Sequence, residues 1–183
     1  MNYKLKIVIS VSLMLIFIKA NCQADNPRGH EVGMAFSPKG CGISWDFCGN
    51  KEAISNLFVV GTDFYGVING KHNSGCKAEY FLNYILKTKE AGDGLKISFY
   101  SGPGAIAGYL RDKDRGYGLC AGLAADVGVS FKFKTNFNIT AGFTGAFAFH
   151  ISRHGGNNYS VNFYKNGVLQ SFFPVVSIGY TFK

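Results

Sequence analysis

Hydrophobic residues recur at every second position over long windows of the chain. Phe172, Pro174, Val176, Ile178, Tyr180 and Phe182 share one face near the C-terminus, with Ser171, Phe173, Val175, Ser177, Gly179 and Thr181 opposite. Phe137, Ile139, Ala141, Phe143, Gly145, Phe147, Phe149 and Ile151 alternate with Asn138, Thr140, Gly142, Thr144, Ala146, Ala148 and His150. Tyr117 to Phe133 repeats the pattern, with Leu119, Leu123, Val127, Val129 and Phe131 on one side and Gly118, Cys120, Ala124, Asp126 and Lys132 on the other. A helix repeats about every 3.6 residues and would scatter these sets, so the segments read as strands. They exceed the five or six residues or so that are typical of soluble sheets.

Two arrangements satisfy such strands. A soluble ring would bury Phe, Tyr, Leu and Ile in a lumen too narrow for them and expose Gly, Ala, Ser and Thr. The inverse arrangement turns the large apolar side chains outward and the small polar ones inward. The charges fit it: Glu31, Asp46, Asp63, Lys77, Glu79, Lys87, Lys96, Asp126 and Lys132 all fall on the inward parity. The expected fold is therefore all-β, an eight-stranded antiparallel up-and-down transmembrane β-barrel. Strands are expected near 29–37, 40–47, 57–69, 77–88, 95–110, 117–133, 137–151 and 168–183. Gly102-Pro103-Gly104 predicts a bulge or kink, because proline cannot donate to a ladder. Asn166-Gly167 predicts the type I′ turn of the last hairpin.

The N-terminus has a different character. Lys4 and Lys6 precede an uncharged run from Ile7 to Ile18, and Ala20-Asn21-Cys22-Gln23-Ala24 follows. This is the layout of a secretory signal peptide over 1–24, leaving a single domain over 25–183. Cleavage before Gln23, cleavage before Asp25 and lipid modification of Cys22 all remain open. Removing 1–24 takes away Lys4, Lys6 and Lys19 and lowers the formal charge from +8 to +5. The remaining excess is scattered, which argues against nucleic acid as a partner.

Four cysteines then remain. Export permits disulfides, and Cys41 with Cys76 is the favoured pair, since both belong at the outer rim. The cysteine spacing matches no zinc motif, and no cofactor is expected.

Three groups of residues could carry chemistry. The inward charges could form an ion-pair network that plugs a narrow lumen. His150 and Ser152 lie on one face, with Asp126 as a carboxylate on the same parity, and could form a base–nucleophile arrangement. The sequence His150-Ile151-Ser152 resembles the His-x-Ser of outer-membrane lipid A deacylases, although Arg153 stands where that family usually has Asn. Such a lipid A-modifying hydrolase is one alternative function, and a soluble periplasmic lipocalin-like carrier is another. The third group is the aromatic set Tyr159, Phe163, Tyr164, Phe172 and Phe173, which could meet a surface ligand or an interfacial girdle.

The segments GPGAIAGYLRD, GLAADVGVSFKF and PVVSIGYTFK, together with the signal peptide ending near Gln23, resemble the small outer-membrane barrels common in Bacteroidetes, of OmpA/OmpX-like architecture. The resemblance implies a place in the outer membrane of a Gram-negative bacterium. It implies outer-membrane lipid as surroundings, and contact with the barrel-assembly machinery through the C-terminal strand. The function expected is structural or surface-binding, as a monomer without catalytic turnover. Lys183 departs from the pattern, because such assembly signals often end on the aromatic residue itself.

Overall fold

The computed structural model describes residues 29–48, 53–70, 73–92, 94–113, 116–154 and 158–182. The expected signal peptide lies outside the described residues. The strands are β1 (His30–Ser37), β2 (Gly40–Cys48), β3 (Ile54–Asp63), β4 (Gly75–Ala91), β5 (Leu95–Arg111), β6 (Tyr117–Lys132), β7 (Phe137–His154), β8 (Asn158–Phe163) and β9 (Pro174–Phe182). Two short helices interrupt them, α1 (Tyr65–Ile68) and α2 (Lys165–Gln170). All pairings are antiparallel. The order β6-β5-β4-β3-β2-β1-β9-β7, closed by β6 on β7, makes a ring of eight strands, and β8 continues the wall beside the upper part of β7.

The register defines the ring's geometry. Glu90 pairs with Lys96, and the row continues through Lys132, Asn138, Gly179, Gly33, Ser44 and Val59 to Glu79. It re-enters β4 eleven positions from where it left, or ten once the bulged Leu86 is set aside. With a rise of about 3.3 Å per residue and about 4.8 Å between strands, that shear tilts the strands by roughly 40°. Every member of the row points inward, and nearly all are polar or glycine.

The faces fall as the alternation requires. Val127, Phe143 and Ile178 are 52%, 46% and 43% exposed on the outer surface. Glu31, Ser44, Asp63, Glu79, Asn83, Asp126, Ser130 and Asn138 are buried inside. Tyr100 fits across the interior because Gly128 and Gly142 face it: a Cβ on either would stand 2.6 or 3.0 Å from its hydroxyl oxygen.

Several expectations need correction. The third strand begins at Ile54 and stops at Asp63, whose carboxylate accepts the Tyr65 backbone N–H at 2.8 Å and turns the chain into α1. The bulge expected at Gly102-Pro103-Gly104 is absent there. The ladder from β5 to β6 is continuous through Pro103, and the register to β4 is the same on both sides of it. The bulge lies instead in β4, between Ile85 and Lys87. Asn166-Gly167 does not form a hairpin turn. The reversal falls between His154 and Asn158, and Asn166-Gly167 sits inside α2. The Asn166 amide donates to the Arg111 carbonyl at 2.8 Å, and its backbone N–H donates to Asp112 Oδ1 at 3.1 Å. A Cβ on Gly167 would stand 2.4 Å from the Ala146 carbonyl oxygen, so glycine lets α2 close on β7. Tertiary docking has overridden a local turn signal.

The wall is uneven. β4 to β7 run 16 to 18 residues, whereas β1 to β3 run 8 to 10. On the tall side the upper interior is an apolar core of Phe81, Ile106, Leu110, Cys120, Ala124, Ala146, Ala148 and Tyr164. Below the short side's rim the interior is polar and partly hollow.

Candidate functional site

The lower interior holds a cavity of about 260 Å³. Hydroxyls of Ser44, Ser55, Thr88, Ser98, Ser130, Thr140 and Ser177 line it, with Glu31, Asp46, Asn83, Lys96, Lys132 and Asn138. Lys132 Nζ lies 3.5 Å from Glu31 Oε2, and the Asn138 amide donates to Glu31 Oε1. Ser130 Oγ donates to Asn138 Oδ1 at 3.0 Å, and Ser55 Oγ to Asp46 at 2.6 Å. Higher up, the Asn83 amide donates to Asp126 at 3.0 Å, and Lys77 pairs with Glu79 at 2.9 Å.

The inward charges are engaged at several heights of the interior. Glu31 and Lys132 form one pair, Lys77 and Glu79 another, and Lys96 pairs with Glu90 at the lower rim. Asp46, Asp63 and Asp126 are held by hydrogen-bond donors. Lys87 does not belong to the network. The bulge at Leu86 shifts the parity, so Lys87 pairs with the outward Phe99 and is exposed. On the tall side the upper interior is filled by the apolar core.

His150 and Ser152 are 0% and 4% exposed. The His150 ring stacks on Tyr164, its centroid 6.1 Å away, and Nε2–H donates to the Leu110 carbonyl at 3.0 Å. His150 is level with Cys120, six positions along β6 from Asp126, which is about 20 Å. The three residues do not form a catalytic set, and neither His150 nor Ser152 is open to a substrate. Among the described residues no group of three or more His, Cys, Asp or Glu could hold a metal ion.

No disulfide joins Cys41 to Cys76; both thiols are free. Cys41 pairs across to Thr62, and Thr62 to Cys76, so the two cysteines stand two strands apart on the outer surface. That separation is about 9–10 Å, beyond the roughly 7 Å a disulfide can bridge.

No family model, curated protein or solved structure matches the chain. The site must therefore be understood from its own geometry.

One residue absent from the sequence expectations stands out at the upper mouth. Lys39, in the β1–β2 turn, folds inward and is 8% exposed. Its ammonium lies 5.4 Å from the Tyr65 ring centroid and 5.1 Å from that of Phe173. Nζ has no hydrogen-bond partner among the described residues. Burial pushes the Lys39 pKa below its ordinary value, with Asp63 opposing the shift. Its backbone carbonyl accepts the Phe64 N–H at 2.6 Å, tying the turn to the start of α1. Nothing in the sequence around Pro38-Lys39-Gly40 foretells this, because a lysine in a turn ordinarily points to water.

Proposed function

We propose that the protein is a small outer-membrane β-barrel with a structural or surface-binding role and no catalytic turnover. The observation that carries this reading is the composition of the outer face. From Phe137 to Phe147 the outward positions of β7 are Phe, Ile, Ala, Phe, Gly and Phe. At the strand tilt above, these eleven positions rise about 25 Å, the height of the apolar band of a membrane barrel. The only charged side chains on outward strand positions among the described residues lie at the ends: Lys87 and Lys89 at the lower end of β4, and Arg111 and Arg153 at the upper ends of β5 and β7. Water does not require such segregation, whereas lipid does, since a Lys or Arg at the midplane costs roughly 2–4 kcal/mol.

Closure of the ring supports the same reading, because lipid offers no partner to an unpaired strand edge. Among the described residues no helix is long and apolar enough to cross a membrane, so any crossing falls to the strands. Burial of His150 and Ser152 weighs against lipid A hydrolysis. The outward phenylalanines weigh against a soluble carrier.

Cell fractionation combined with heat-modifiable gel migration tests the proposal. Recovery in the outer-membrane fraction, with faster migration before boiling, is expected. Recovery in the soluble periplasm would refute it.

A further inference from the structure

We propose that the interior is a path for water and small monovalent cations, held shut at its upper mouth by the side chain of Lys39. The proposal rests on the membrane-barrel reading above. Three cavities follow one another up the ring, of about 260, 50 and 20 Å³. The lower and middle ones share Ser44, Leu57, Tyr100, Thr140 and Ser177 as lining. The middle and upper ones share Ser37, Gly40, Lys77, Thr144 and Val175. They adjoin one another in sequence along the interior, with Tyr100 standing between the lower and middle chambers, and the uppermost has room for about one water.

Among the described residues the column reaches its upper mouth on the short side. Over the tall side, Phe81, Leu110 and Tyr164 are fully buried and fill the interior. Over the short side, Lys39 and Phe173 line the last chamber. The Lys39 ammonium is held there by two aromatic faces and not by a hydrogen bond. Such contacts hold a cation firmly when it is desolvated, yet they impose little directional constraint. Lys39 therefore obstructs in two ways: its stem fills the mouth, and its charge repels an entering cation.

Behind it the lining favours cations. Excluding Lys39, the three chambers present five carboxylates (Glu31, Asp46, Asp63, Glu79 and Asp126) against the three ammoniums of Lys77, Lys96 and Lys132. Carboxylates lining a narrow pore select for cations.

Planar-bilayer recording in potassium chloride tests this, with purified wild type, Lys39→Ser and Lys96→Ser. Lys96 lines the lower chamber, at the opposite end of the column. Wild type and Lys96→Ser should be silent. Lys39→Ser should show discrete openings, with a conductance at least about tenfold above the wild-type background and a reversal potential displaced toward potassium. Heat-modifiable migration and protease protection in vesicles report insertion independently. If wild type fails to insert, the barrel reading falls and the proposal with it. If Lys39→Ser inserts and is as silent as wild type, or if Lys96→Ser conducts equally, the proposal alone is overturned.

Discussion

The sharpest test of the outer face compares one substitution at two heights. Val127 and Val161 are both outward valines, 52% and 63% exposed. Val127 pairs with Phe143 and Val161 with Ile151, eight positions further up β7. At the tilt set by the register, that separation is about 20 Å along the axis. A band about 25 Å tall, centred near Phe143, therefore contains Val127 and leaves Val161 beyond its upper edge. Val127→Lys should cost roughly 2–4 kcal/mol of folding free energy in lipid, and Val161→Lys about 0–1. The midplane variant should thus lose about 5-fold or more in its folding equilibrium relative to the upper one. Urea titrations in lipid vesicles give both values. The single tryptophan, Trp45, supplies the signal, since it lies on the outward parity of β2 and on the membrane-barrel reading would pass from water to lipid on insertion. Equal costs at the two sites, within about 0.5 kcal/mol, would refute the argument, because an exposed substitution in water has no reason to depend on height.

Other outcomes follow from the interior. Gly167→Ala should release α2 from β7, because its methyl would meet the Ala146 carbonyl oxygen at 2.4 Å; new proteolytic cleavage near 165–170, absent in wild type, is the readout. Asn138→Ala should cost about 1–3 kcal/mol in urea titration, since it strips a hydrogen bond from the buried Glu31 carboxylate and another from Ser130; a neutral result would contradict that network. Lys39 gives a pH-dependent outcome. Its lowered pKa means that the unfolded chain binds more protons at this position as pH rises from the lowered value toward 10.5. Wild type should therefore gain stability through that window relative to Lys39→Met, as measured by thermal unfolding at successive pH values. A flat or falling difference would show that Lys39 is not desolvated in the native state.

The period-two pattern located most of the strands and their inward and outward faces, because side chains on a strand alternate whatever surrounds it. It could not reveal Leu86: one extra residue in β4 reverses the parity below it, and nothing local distinguishes that position, so Lys87 was assigned to the wrong face. The separation of Cys41 from Cys76 was likewise out of reach, because it depends on β3 lying between them. The same holds for the distance between His150 and Asp126, which comes from the register of β6 on β7.

What the sequence by itself determined is the chemistry of each face, since alternation is local and repeats many times over. What only the tertiary structure decided is how the upper end closes. Asn166-Gly167 joins a helix because β7 and the Arg111–Asp112 corner offer its amides better partners than a hairpin would. Lys39 turns inward because two aromatic rings, from α1 and from the segment before β9, meet over one mouth. Both are contacts between segments far apart in the chain, and their energy exists only once the ring has brought those segments together.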